Sequence, residues 1–230
     1  PSMREEYLAT AKTKPSILLK GDTPRLIDEW QDAPMLWDAV RTTVDDRQIP
    51  GQFILTGSNA VDKSQIHHSG AGRIARLRML PMSLWESQES TGEVSLKELF
   101  NNPDYDIDGK MSKMTVEDLI FAASRGGWPA SLLARTPKAQ LLVAKNYVQT
   151  ICSDDVSGID GKKRDAKLTS MILRAYARNV STLVKKKSLL DDVTSSGEVS
   201  CHVDTFDDYV SALEKLFVIQ NISAWCPAIR

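Results

Sequence analysis

Two short apolar segments with a helical segment between them constrain this fold more than any other feature. Residues 25–28 and 52–56 each have the pattern of a buried strand, and residues 34–44 have the apolar spacing of a helix that begins at Pro34. A strand, a helix and a second strand of these lengths typically form a right-handed crossover between parallel strands. The sequence therefore predicts a parallel sheet in an α/β region.

Both predicted strands end in polar residues. Asp28 and Glu29 follow the first strand, and Thr56 and Ser58 end the second. Ligands of open α/β sheets bind at the carboxyl ends of the strands, where two carboxylates can hold Mg²⁺ through water and polarise an attacking water. Taken alone, Asp28-Glu29 is more typical of a solvated loop or a helix cap than of such a site.

A third strand and several helices are predicted downstream. Residues 74–80 have a mixed alternation that is typical of a sheet edge, with Arg76 and Arg78 on its exposed face, and a helix is expected from Leu84 with Ser83 as its N-cap. Helical spacing then occurs over residues 115–123, 137–152, 167–183, 188–193 and 205–216, and a strand is expected from Phe217.

These elements predict an α/β part followed by a mainly α part. Residues 87–113 are rich in small polar and acidic residues and read as a long connection. We expect an α/β domain over 1–90, a connection over 91–113 and a helical domain over 114–230.

The charge distribution is balanced overall but uneven locally. The net charge of the chain is −1, which excludes a globally basic nucleic-acid-binding protein. Residues 160–187 carry a net charge of +7 and residues 188–214 a net charge of −7. The basic stretch either pairs with the acidic one or contacts a nucleic-acid backbone, and the residues expected to do so are Lys162, Lys163, Arg164, Lys185, Lys186 and Lys187.

The element order over 167–222 is that of a winged helix. A winged helix that reads DNA needs cations on the helix that enters the groove. The helix from Thr205 instead carries Asp207 and Asp208. The sequence therefore favours a winged helix used for packing over one that reads DNA.

The remaining composition is that of a protein of the reducing cytoplasm. No apolar run approaches the eighteen residues of a membrane span, and no secretion leader opens the sequence. Three widely spaced cysteines do not suggest disulfides or a zinc knuckle. His67 and His68 are adjacent and would point apart, so a metal site of that kind is not expected.

The segment 24–34 resembles the "IDE-Q-P" segment of a bacterial and archaeal family of AAA+ ATPases. The resemblance continues through 50–58, Gly70-Ala71-Gly72-Arg73 and 80–86, in the order and spacing of that family. Proteins of this family join a P-loop ATPase domain to a helical C-terminal module, often with a nuclease-like fold after it. The resemblance is looser over 115–225, where it depends on Gly126-Gly127-Trp128-Pro129 and the last helix.

The resemblance implies roles for five residues and two ligands, ATP and Mg²⁺. Asp28 and Glu29 resemble the Walker B acids, with Asp28 near Mg²⁺ through water and Glu29 activating water. Thr56 and Ser58 resemble the sensor at the end of the next strand. Arg73 is similar to an arginine finger supplied to a neighbouring subunit, which implies a homo-oligomer; a strand residue paired with a carboxylate is the equal alternative. Trp30, Trp37 and Trp85 are expected to be core or interface anchors rather than a base-stacking platform.

One family feature is missing from these residues, because no G-x-x-x-x-G-K-[ST] loop occurs in them. We therefore expect the chain to be an internal piece from Walker B onward, with the loop upstream and any nuclease-like portion downstream. Three functions compete: an ATP-hydrolysing protein of unknown client, a DNA-binding winged-helix regulator, and an interaction scaffold with a non-functional nucleotide site.

Overall fold

The computed structural model describes residues 2–58, 69–195 and 197–223. The chain divides into two compact units, one formed by Pro1–Leu77 and Cys152–Arg230 and the other by Arg78–Ile151. The first unit begins with helix α1 (Met3–Thr13), strand β1 (Arg25–Ile27), helix α2 (Met35–Arg47) and strand β2 (Phe53–Leu55), with 3-10 turns at Pro15–Ile17 and Trp30–Asp32.

The two strands form the predicted parallel pair. Arg25 lies opposite Phe53, Leu26 opposite Ile54 and Ile27 opposite Leu55. Because side chains alternate along a strand, Ile27, Phe53 and Leu55 pack on a core of buried residues from α1, α2 and the turns between them. Leu26 and Ile54 occupy the other face and are 61% and 53% exposed. The parallel arrangement brings both carboxyl ends to the same edge.

Residues 74–80 do not form the predicted strand. They have no regular secondary structure. Leu77 is 92% exposed, so its side chain packs on no core that would stabilise a strand here. Arg76 and Arg78 are exposed as expected, and the Arg76 guanidinium lies 5.2 Å from the centre of the Trp37 ring. The prediction was wrong because an alternating pattern does not supply a neighbouring strand to pair with.

The predicted helix at Leu84 is a single turn. Ser83 and Glu86 form the reciprocal hydrogen bonds of a capping box. Gln88 then adopts a left-handed φ of 64°, and the amides of Glu89 and Ser90 both donate to the carbonyl of Leu84. This closure ends the turn before a helix can form.

The second unit contains four helices. Its helices are α3 (Leu96–Asn101), α4 (Val116–Arg125), α5 (Pro129–Leu133) and α6 (Pro137–Thr150). Thr115 caps α4 and forms the expected capping box with Asp118. Helix α3 was not predicted, because it lies within the polar stretch 87–113 that reads as a connection. A π-helical turn, Ile151–Asp155, follows α6.

The first unit ends with a small helical bundle. After α7 (Val156–Gly158) come α8 (Ala166–Arg178), α9 (Lys186–Thr194) and α10 (Val203–Lys215), which pack through buried residues such as Ile172, Val193 and Leu213. The strand expected from Phe217 is not found in the described residues 217–223. Phe217 has a left-handed φ of 58°, and the amide of Val218 donates to the carbonyl of Leu213, which ends α10 without extending the chain. Within the described residues the winged-helix order therefore lacks this strand.

Candidate functional site

Thr56 is fixed to the end of the neighbouring strand by two hydrogen bonds. Its amide donates to the carbonyl of Ile27 over 3.0 Å, and its hydroxyl donates to Asp28 Oδ1 over 2.5 Å. The amide of Trp30 donates to the carbonyl of Thr56 over 3.1 Å, which ties the turn after β1 to the same residue. The sequence thus places Asp28 and Thr56 together through strand pairing.

Glu29 occupies a sharp turn and is held by two donors. Its φ of 52° lies in the left-handed region, which is uncommon for a residue with a Cβ and is found at functional sites more often than elsewhere. Ser58 Oγ donates to Glu29 Oε2 over 3.1 Å, and Gln31 Nε2 donates to the same oxygen. The four residues Asp28, Glu29, Thr56 and Ser58 therefore meet at one edge of the sheet.

Gln31 is a member of this cluster that sequence reasoning did not single out. Its Nε2 contacts Glu29 and also lies 3.4 Å from Ser58 Oγ. Its Oε1 is buried and has no hydrogen-bond partner among the described residues. Its position two residues after Glu29, within the "IDE-Q-P" segment, is the signal that could have found it.

The donor set at this edge fits a magnesium ion. Asp28 and Glu29 are exposed, and Asp28 and Thr56 present oxygen atoms, the ligands that Mg²⁺ prefers. Mg²⁺ commonly keeps several waters and uses only one or two protein carboxylates. Among the described residues, no cluster of three or more His, Cys, Asp or Glu side chains is arranged to hold a metal.

Arg73 lies against α2. Its Nε donates to Asp45 Oδ1 over 2.8 Å, and its guanidinium also donates to the carbonyl of Ala71. The hydrogen bond to Asp45, followed by the attraction between the two charges, raises the pKa of Arg73. None of its hydrogen bonds within the described residues reaches the strand ends. The side chain remains 48% exposed.

The three tryptophans differ in their surroundings. Trp37 is buried, and its ring centre lies 5.0 Å from that of the half-buried Trp30. Trp85 is exposed. Of the predicted core or interface anchors, Trp37 is therefore a core residue, and an interface role for the exposed Trp85 stays a prediction.

Arg164 is a buried structural residue. Its side chain is 2% exposed and makes two hydrogen bonds to Asp160, of 2.7 and 2.8 Å, and one of 3.0 Å to Asp208. It also donates to the carbonyl of Val156. The hydrogen bond from Arg164 lowers the pKa of Asp160 to about 2. Its guanidinium is thus fully engaged within the protein.

The basic and acidic stretches pair with each other. Besides Arg164, four cations of residues 160–187 form ion pairs with acids of residues 188–214. These pairs are Lys162–Asp208, Lys167–Glu198, Arg178–Asp192 and Lys186–Asp207. Lys163, Lys185 and Lys187 form no ion pair with the described residues. As far as the described residues show, three of the six cations expected to contact nucleic acid are therefore available without breaking a pair.

None of the helices in the described ranges combines the length and the apolar character needed to cross a membrane.

Two family models match the chain. Residues 2–88 match an AAA domain, which supports an AAA-type P-loop ATPase-like domain with a nucleotide-binding function. Residues 116–230 match the model described as Domain of unknown function (DUF8612). Comparison with curated proteins and comparison with solved structures gave no match. Because the second model covers half of its residues, the chain belongs to the family of this domain, DUF8612.

Proposed function

We propose that the chain belongs to an ATP-hydrolysing AAA+ protein and carries the Walker B and sensor residues of its nucleotide site. The observation that carries the proposal is the pair of hydrogen bonds between the two strand ends, from Thr56 to Asp28 and from Ser58 to Glu29. The AAA match over the same residues supports it. A solvated loop does not require such pairing between residues that are 28 and 29 positions apart.

The proposed chemistry divides between the two acids. Asp28 would hold Mg²⁺ through water, and the bound ion would neutralise charge on the phosphates. Glu29 would accept a hydrogen bond from the attacking water and orient it. Thr56 keeps Asp28 in place, and Ser58 would sense a phosphate group close to Glu29.

Gln31 is a positioning residue in this proposal. Its amide group restrains the Glu29 carboxylate, so the shorter Ala side chain would leave that carboxylate free to turn. We expect Gln31→Ala to lower turnover by about three- to tenfold, the worth of one hydrogen bond. Gln31→Ala should therefore be less harmful than loss of the carboxylate itself.

We also propose that Arg73 is an arginine finger, which requires it to break an existing hydrogen bond. To reach a nucleotide on a neighbouring subunit it would have to leave Asp45, to which it is hydrogen bonded. Since both partners are accessible at the surface, that exchange is inexpensive. A homo-oligomer is part of the proposal for this reason.

The phosphate loop is the part of the site that these residues do not supply. In P-loop proteins its backbone amides and lysine provide most of the phosphate contacts. We therefore propose that the 230 residues alone bind Mg-ATP weakly, and that hydrolysis takes place in a protein that also carries the loop. Isothermal calorimetry of the 230-residue chain tests the first statement, and low-micromolar affinity would contradict it.

Asp28→Asn tests the assignment of the metal. In a protein that also carries the loop, this variant should weaken ATP binding in the presence of Mg²⁺ and change it little in the presence of EDTA. A loss of equal size under both conditions would contradict a role near the ion.

Weak, sequence-independent contact with nucleic acid is the second candidate. The ion pairs between residues 160–187 and 188–214 favour a helical module used for packing, and α10 carries acids where a DNA-reading helix needs cations. Lys163, Lys185 and Lys187 would contact phosphates and would not report base identity. We also propose a cytoplasmic location, the domain limits 1–90, 91–113 and 114–230, and a winged-helix-like module whose strand is not found in residues 217–223.

A further inference from the structure

Residues 81–90 are attached to the segment after α4 by a close backbone contact. The amide of Met82 donates to the carbonyl of Gly127 over 2.8 Å. A Cβ atom at position 127 would lie 2.8 Å from Met82 N and closer still to Met82 O. Because backbone atoms cannot move aside as a flexible side chain can, only glycine at position 127 allows this approach.

A buried ion pair makes the second attachment. Arg125 at the end of α4 donates from Nη2 to Glu89 Oε2 over 2.7 Å, and its side chain is only 7% exposed. Ser87 Oγ donates to the same oxygen over 2.6 Å. Glu89 therefore supplies the negative charge that a buried guanidinium requires.

Between the two attachments, hydrogen bonds among its own residues hold the segment in a turn. The amide of Ser87 donates to the carbonyl of Ser83, and the amides of Glu89 and Ser90 donate to the carbonyl of Leu84. The structure describes every residue from 81 to 90, and none of them is buried. Five of the ten residues are exposed and the other five are half-buried. A segment that has its own hydrogen bonds and no fully buried residue is of the kind that opens locally.

The two attachments join parts of the chain that match different families. Met82 lies within the AAA match, and Glu89 is the residue after its end, whereas Arg125 and Gly127 lie within the DUF8612 match. We propose that residues 81–90 form a releasable strap, fastened at Gly127 and Arg125, that ties the end of the AAA-matching part to the DUF8612 module. The strap opens as one piece while the rest of the chain stays folded.

Hydrogen exchange of the 230-residue chain, followed by NMR, tests the strap. Gly127→Ala should separate the backbones at Met82, and Glu89→Ala should leave Arg125 without its counterion. The Met82 amide reports release of the strap, because its acceptor at Gly127 lies outside the segment, whereas the amides of Ser87 and Glu89 donate within it. Each change should speed exchange of the Met82 amide by about ten- to a hundredfold, the effect expected for losing a hydrogen bond to a charged or closely packed group. Exchange of the amides at positions 87 and 89 should change little. Exchange in α8 and α10 should not change.

Two control variants and one double variant test whether the faster exchange is specific to the two attachments. Gly158→Ala adds a Cβ that has no atom within 4 Å, and Glu93→Ala removes an exposed carboxylate, so both should exchange like the unchanged protein. Glu89→Ala with Arg125→Met removes both charges, so exchange in α4 should be that of the unchanged protein while the Met82 amide still exchanges fast. Unchanged exchange at Met82 in both single variants would overturn the proposal. Equal acceleration throughout α6, α8 and α10 would also overturn it, because residues 81–90 would then unfold only with the whole chain.

Discussion

The hydroxyl of Thr56 donates to a carboxylate oxygen of Asp28 and joins the ends of two parallel strands across 28 positions of sequence. This contact follows from the register, because Ile27 lies opposite Leu55 and the next residue of each strand therefore faces its counterpart. Ser58 contacts Glu29 one position beyond this register, at the left-handed turn that follows β1. Two acids and two hydroxyl groups consequently occupy one small, exposed edge.

Removing the Thr56 hydroxyl should weaken this edge. Thr56→Val keeps the shape and the methyl group but cannot donate to Asp28, so we expect a loss of about 1 kcal/mol in the free energy of unfolding. Urea unfolding of the 230-residue chain measures it. Thr56→Ser is the matched control because it keeps the donor and loses the methyl group. A loss in Thr56→Ser with none in Thr56→Val would mean that packing of the methyl group, not the hydrogen bond, stabilises the edge.

Asp160 should make stability depend on acid pH. Its pKa is lowered from 3.8 to about 2, so its contribution is complete above the unfolded value of 3.8 and is lost as the pH falls through about 2. The shift corresponds to about 2 kcal/mol. Asp160→Asn should therefore unfold at lower urea concentration than the unchanged chain at pH 6, and the difference should shrink between about pH 4 and pH 2.

The control for Asp160 is Asp22→Asn in an exposed loop, which should behave like the unchanged chain at both pH values. A difference between Asp160→Asn and the unchanged chain that is the same at pH 6 and pH 2 would show that the Arg164 pair is not its source.

Binding to nucleic acid, where it occurs, should be weak and strongly screened by salt. With three cations available, log K should fall with log salt at a slope of about −2.7, from about −0.9 for each phosphate. Replacing Lys163, Lys185 and Lys187 by Ala should remove the salt dependence. Asp207→Asn with Asp208→Asn should strengthen binding, since both changes release cations from ion pairs.

Fluorescence anisotropy over a range of salt, with several unrelated duplexes, measures these slopes. A slope near −5, as six phosphate contacts would give, means that the internal pairs open on binding. Tight binding to one sequence that survives the triple Ala change would favour the sequence-reading regulator.

The sequence was most informative where local pattern and long-range pairing agree. Two short apolar strands and a helix between them were sufficient to predict the parallel pair. The hydrogen bond between Thr56 and Asp28 at its edge was not predicted. The start of α4 followed from the capping residues Thr115 and Asp118, whereas the helix ends at Arg125, two residues later than predicted. Each of these predictions depends on interactions that lie close in sequence or on one strand pairing.

The failures came from features that a local pattern does not contain. Residues 74–80 alternate like a strand, but no strand pairs with them in the described part of the chain. Gln88 and Phe217 adopt left-handed conformations that end a turn and a helix, and neither residue type signals this. The pairing of Arg164 with Asp208 joins positions 44 residues apart, so charge counts could suggest it but could not assign its members.

Turnover of ATP by the Glu29→Gln variant tests the account most directly. In a protein that also carries the phosphate loop, the amide preserves the shape of the side chain but cannot take a proton from water. We expect ATP binding to be retained and hydrolysis to fall by about 10²- to 10⁴-fold, the usual contribution of a positioned general base. Asp46→Asn, an exposed carboxylate on α2, should change neither quantity. Unchanged turnover in Glu29→Gln would contradict the assignment of the catalytic carboxylate.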